Sequence, residues 1–325
     1  MTELKSLRCL VFLVTLSFLS ALVPVCPAED LEFSFPEKSV SFPAEIAAGM
    51  AIPRWIHGRM VSVWGHLDYR DPRANVHVYD SNGRKIYEAR VWPPQATRVS
   101  LLDMAVSRDG DVAVVGVAND SSGQPAYFFA HIAPSGKVSP PVRIQPFEGQ
   151  RATFGPDGTL WILGWELDHL RRFDPSADHA TLRQFALDGK VLGEFLPRSS
   201  FGCPAPQHPA LGIRGGRPEL LASRDRIIVL SGFCGQVIEL TPEGEILRRV
   251  SVPDEELLPP FAAAVTSDNV VYIKRHPTSP MCRLQLYDGS CVDIQSAGKY
   301  TLIGAEGEAL VLQNGSALEW RRAVE

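Results

Sequence analysis

A strand–turn–strand unit recurs along this chain at intervals of roughly fifty residues, and few folds accommodate such a repeat. It is clearest at residues 152–163, ATFGPDGTLWIL, where two apolar stretches flank Asp157-Gly158. Glycine accepts the positive φ that a tight turn needs, and aspartate can bond nearby backbone amides. The residues after the turn, Thr159 to Leu163, are β-branched, aromatic or apolar, as in a strand buried on both faces. A second hairpin follows at residues 182–195 around Asp188-Gly189, with polar and apolar residues mixed. A buried inner hairpin followed by an amphipathic outer one makes four antiparallel strands, one blade of a propeller.

The same pair of hairpins can be followed from end to end. Turns are expected at Asn82-Gly83, Asp109-Gly110, Ser135-Gly136, Asp157-Gly158, Asp188-Gly189, Arg224-Asp225-Arg226, Glu243-Gly244, Asp268-Asn269, Asp288-Gly289 and Glu306-Gly307. Six units result, and the last is one strand short. A lone alternating stretch at residues 31–35 (LEFSF) is expected to supply that strand, closing the ring and removing exposed sheet edges. The expected fold is therefore all-β, a six-bladed β-propeller completed by an N-terminal strand.

Residues 1–28 read as a signal peptide. Lys5 and Arg8 precede an apolar run over residues 9–23, and small Ala28 stands before Glu29-Asp30. Cys26 as a lipid-bearing cysteine and an uncleaved anchor are the alternatives. The chain is thus expected to be exported, periplasmic or extracellular, with residues 29–325 forming one propeller domain and no transmembrane segment in its mature form. Charged residues make up 21% of the chain and its net charge is −5, which argues against disorder and against a nucleic-acid partner. Four cysteines follow the signal. None has zinc-site spacing, and Cys203–Cys234 is the preferred disulfide because both lie in loops of one face entering and within the fourth unit. Cys282–Cys291 is disfavoured. A two-residue turn at Asp288-Gly289 would set Leu286 opposite Cys291, leaving Cys291 buried and free.

The recurring units SRDGDVAVVG and GPDGTLWILG, with the outer hairpins that follow them, resemble the six-bladed propellers of the NHL and TolB-like kind. The resemblance spans nearly the whole mature chain and implies architecture, not chemistry.

In such a blade the turns within hairpins share one face, while the longer connections share the other. The long loops supply the candidate ligand-binding residues: His66, Asp68, Tyr69, Arg70 and Asp71, then Trp165, Glu166, Asp168, His169, Arg171 and Arg172, then His208, Arg214, Arg217, Arg275 and His276. Converging arginines and histidines can hold a carboxylate or phosphate. His66 with Asp68 and Asp71 fits no metal signature, and no metal or cofactor is expected. His57, His77 and His131 read as structural. No GxSxG, HExxH or Walker motif is present. The leading expectation is a non-enzymatic scaffold that binds a protein, peptide or glycan on its long-loop face. The alternative is a hydrolase, lyase or lactonase-like enzyme with a site in the channel, where a metal is one option.

Overall fold

The computed structural model describes residues 31–41, 53–168, 177–201, 218–231, 235–253, 260–295 and 297–324. Residues 1–28, expected to be a signal peptide, lie outside them, as do His169, Arg171, Arg172, His208, Arg214, Arg217, Cys203 and Cys234.

Six antiparallel blades follow in chain order. Their innermost strands are Arg54–Ile56, Arg98–Val106, Phe147–Phe154, Glu219–Ala222, Ala262–Val265 and Thr301–Glu306. Each pairs outward through successive hairpins, as in blade 3, where Phe147–Phe154 leads to Leu160–Glu166, Ala180–Phe185 and Val191–Pro197. Six apolar clusters lie between adjacent blades, including one of Trp55, Met60 and Tyr79 from blade 1 with Ile303, Val311 and Trp320 from blade 6. That last cluster closes the ring. No helix among the described residues is long and apolar enough to cross a membrane.

The turns fall where the glycines placed them, and those at Gly83, Gly110, Gly136, Gly158, Gly189 and Gly244 are one residue longer than a two-residue turn. At residues 107–111, Ser107 N donates to Asp111 O and Gly110 N to Ser107 O, and Gly110 has φ +89°. This is a type I turn followed by a left-handed glycine, the usual three-residue hairpin loop. Asn269 does the same work with φ +66°.

Two expectations need correction. The strand completing blade 6 is Lys38–Ser41, in register with Trp320 to Ala317, and not the stretch at residues 31–35. Val40 stands opposite Leu318 and packs against the cluster that joins blades 1 and 6, so the polar-looking KSVS segment still half-buries one face. The earlier stretch instead pairs Glu32–Phe33 with Ala323–Val324, and its fully buried Leu31 bridges to Ile294 of blade 5. Second, Cys282 and Cys291 form a disulfide, with Cα atoms 5.6 Å apart. The loop before Cys291 is longer than two residues, with Gln285 N donating to Ser290 O. Leu284 therefore faces Cys291 and Asp293 faces Cys282. The two cysteines become diagonal neighbours on one side of the hairpin, within bonding reach.

Candidate active site

The innermost strands enclose a channel cavity of about 1450 Å³. Its wall is uneven. At mid-channel the innermost strands of blades 5 and 6 contribute small or apolar residues, among them Ala262, Ala264, Ile303 and Gly304, whereas those of blades 1 to 4 each contribute an ionised side chain: Arg54, Asp103, Arg151 and Glu219.

Local backbone geometry aims two of these groups. The pairing of the first two strands slips between Leu101 and Asp103 in blade 2, and between Gly149 and Arg151 in blade 3. A bulge of this kind adds one residue on one strand and turns the side chains that follow. A third slip, between Leu302 and Gly304, stands in blade 6. Asp103, Arg151 and Gly304 thus all border the channel just after a bulge.

The four charges alternate around a closed ring. Glu219 accepts from Arg54 Nη2 through Oε2 at 2.9 Å and from Arg151 Nη2 through Oε1 at 2.8 Å. Asp103 Oδ1 lies 3.2 Å from Arg54 Nη2 and 3.9 Å from Arg151 Nη1. Asp103 Oδ2 accepts from Ala152 N at 2.9 Å, and Arg151 Nε donates to Pro218 O at 2.8 Å. Both carboxylates are 2% exposed, so little water screens these pairs. Burial works against the Arg54 charge, but Asp103 and Glu219 outweigh it and hold the guanidinium above its ordinary pKa. A ring so placed links four blades and carries two oriented guanidinium groups on the channel wall.

The channel also reaches the face of tight turns. His57 occupies the blade 1 turn with φ +48°, a conformation that non-glycine residues seldom adopt. It borders the cavity with Arg108, Ser223, Arg224, Ser267 and Glu306, so it is a channel-mouth residue and not the structural histidine that its place beside a strand suggested. Burial, and then the nearby Arg108 charge, lower its pKa. Replacing Arg108 by glutamine removes the second cause and not the first. His57 in Arg108→Gln is expected to titrate at a higher pH than in the parent while staying below an ordinary histidine, as read from its ring proton shifts. An unchanged midpoint would show that Arg108 does not act on this ring.

Of the described loop residues proposed from the sequence, Arg275 and His276 line the cavity. His276 Nδ1 is 3.1 Å from Thr278 Oγ1. The others find partners elsewhere. His66 Nδ1 lies 2.8 Å from Ser100 Oγ, Asp68 Oδ1 accepts from Arg70 N, and Arg70 Nε donates to Tyr69 OH. Asp71 holds Arg73, and hydrogen bonds from Arg73 lower the Asp71 pKa to about 2. Trp165 is buried within blade 3. Glu166 pairs with Arg183 at 2.5 Å and approaches His179 at 3.7 Å, and Asp168 does not line the cavity. Among the described residues no three His, Cys, Asp or Glu side chains gather as a metal site. His131 is structural as expected, with Nε2 2.7 Å from Asp111.

No family model matches the chain, and no curated protein matches it in sequence. Solved structures of similar shape do. A Bacteroides fragilis protein has a TM-score of 0.53 and 9% identity, covering 93% of this chain and 98% of that one. The PQQ-bound aldose sugar dehydrogenase of Streptomyces coelicolor has a TM-score of 0.50 and 16% identity, covering 91% and 98%. Virginiamycin B lyase from Staphylococcus aureus has a TM-score of 0.48 and 12% identity, covering 90% and 100%. At these identities the likeness establishes the β-propeller fold.

These findings correct three expectations. The likeness supports the β-propeller class at large and not the narrower NHL and TolB-like assignment. The expectation of a non-enzymatic binding scaffold is corrected: a propeller of this shape is named as a dehydrogenase, and ionic groups line the channel here. The protein, peptide or glycan partner expected on the long-loop face is corrected as well: most of the described loop candidates pair within the chain, and the dehydrogenase of similar shape is named for a sugar.

Proposed function

We propose that this chain is an enzyme acting on a small molecule within the propeller channel, in the hydrolase, lyase or lactonase class. The observation that carries this reading is the ring of four charges, three buried and Arg54 half-buried, on the wall of a large cavity. Buried ion pairs are costly to desolvate and are weak evidence for stability alone. Held in a cleft, they are the kind of oriented charge that supports catalysis. Asp103 and Glu219 fix the arginines, so Arg54 and Arg151 can face the negative charge that develops on an oxygen when an ester opens or a proton leaves carbon. Arg275 and His276 border the same cavity from the long-loop side. In the same reading the enzyme works outside the cytoplasm, because residues 1–28 read as an export signal.

The test is a screen of the purified chain against lactones, esters and substrates of β-elimination. Turnover of one class is expected, with a fall of about 10²–10³-fold in Arg151→Lys, which keeps the charge but loses the two-pronged donor. Circular dichroism establishes that the variant is folded. Absence of turnover across all three classes, or full activity in the folded variant, would count against the proposal.

A further inference from the structure

The mouth of the channel on the tight-turn face is built differently from its wall. Arg108, in the blade 2 turn, reaches past blade 3 and donates from Nη2 to the carbonyl oxygen of Arg224 in the blade 4 turn, at 3.3 Å. The blade 3 turn, Asp157-Gly158, does not border the cavity, so the Arg108 side chain spans the rim in front of it. Both arginines are exposed and both line the cavity.

Several exposed arginines elsewhere on this chain are matched to acids, as Arg73 is to Asp71, Arg84 to Asp80, and Arg322 to Glu37 and Glu308, whereas Arg70 and Arg143 bond to neutral side chains. Among the described residues neither Arg108 nor Arg224 has a carboxylate at ion-pair distance. Two acids of the rim are otherwise engaged. Asp225 is 3.7 Å from Arg226 Nε and accepts from Asn269, and Glu306 Oε2 accepts from Trp320 Nε1 at 2.6 Å. The hydroxyl-bearing Ser223 and Ser267 complete the rim. Two arginines without a carboxylate at ion-pair distance therefore line one opening of a chain whose net charge is −5. A positive opening on an acidic molecule concentrates anions locally.

We propose that this mouth is an oxyanion-binding subsite, in which Arg108 and Arg224 grip the carboxylate or phosphate end of a small molecule entering the channel. Each planar guanidinium offers paired donors that match such an oxyanion. The subsite rests on the channel being the working site, and it assigns the charge of the molecule that the channel receives. It also assigns the face of entry, opposite to the long loops.

Isothermal titration of the full chain at low salt, with inorganic phosphate and separately with succinate, tests this. Saturable binding of at least one probe is expected. Its affinity should fall tenfold or more in Arg108→Gln and Arg224→Gln, and stay unchanged in Arg84→Gln, whose side chain pairs with Asp80. Binding of phosphate alone assigns a phosphoryl end, and binding of succinate alone a carboxylate. No saturable binding of either probe, or binding within tenfold of the parent in the double variant, overturns the subsite. The readout is independent of catalysis. Probe binding without turnover would remove the enzymatic reading and keep the subsite, whereas turnover without probe binding would do the reverse.

Discussion

Glu219→Gln should lose about 3–5 kcal/mol of stability, the scale for removing one partner from a buried ionic network. Glu219 is 2% exposed and is the carboxylate that both arginines meet at hydrogen-bond distance, 2.9 Å for Arg54 and 2.8 Å for Arg151. Glutamine preserves the shape but removes the charge. Asp103 is then left to balance two guanidinium groups, at 3.2 Å and 3.9 Å. Arg54 cannot relieve the imbalance by losing its proton, since its pKa is held above an already high value. Denaturant unfolding measures the loss as a lower midpoint. A midpoint shift worth less than about 1 kcal/mol would place this ring with screened surface pairs. Pairing Glu219→Gln with Arg151→Met in a double-mutant cycle isolates the coupling, because the second change removes the charge that the first leaves unpaired.

The fold was legible because its signals are local. Gly83, Gly110, Gly136, Gly158, Gly189, Gly244, Gly289 and Gly307 all stand at positive φ in turns, where a side chain would be strained. Asn269 takes the left-handed place in the Asp268-Asn269 turn, which lacks a glycine. The closing strand was less legible because LEFSF and KSVS both alternate, and their roles are decided by pairing with a terminus almost three hundred residues away.

The candidate site was misplaced for a physical reason. Charges on long loops draw attention, yet Asp71 and Arg73, or Glu166 and Arg183, pair locally and need no ligand. The informative charges sit in short apolar contexts: PRWI, LLDMAV, GQRATF and PELLA. Each interrupts an innermost strand, where burial penalises an ion unless others meet it. That signal was present in the sequence, and comparing the first strands of successive blades would have exposed it. The bulges that aim Asp103 and Arg151 carry no comparable signature, since an extra residue in one strand is defined only against its partner.

Gly304→Ala is expected to weaken the closure of the ring by about 3 kcal/mol, the upper end of what overpacking costs. Gly304 pairs in parallel with Trp55, joining the innermost strand of blade 6 to that of blade 1. A Cβ atom at this position would stand 2.0 Å from Trp55 O and 2.9 Å from the Trp55 carbonyl carbon and Cβ. No flexible side-chain tip can yield there, so one of the two strands must move. Trp55 is itself packed edge-on against Trp320, with ring centroids 4.9 Å apart, and it stands beside Arg54. Movement of this strand should therefore reach both the blade 6 closure and the charged ring. Gly65→Ala is the matched control, because it borders the same cavity and a Cβ there meets nothing within 4 Å. Its unfolding midpoint should stay within about 0.5 kcal/mol of the parent. Equal behaviour of the two variants would mean that the blades close by side-chain packing alone. A loss confined to Gly304→Ala would identify the close backbone contact as the feature that holds the channel at its present width.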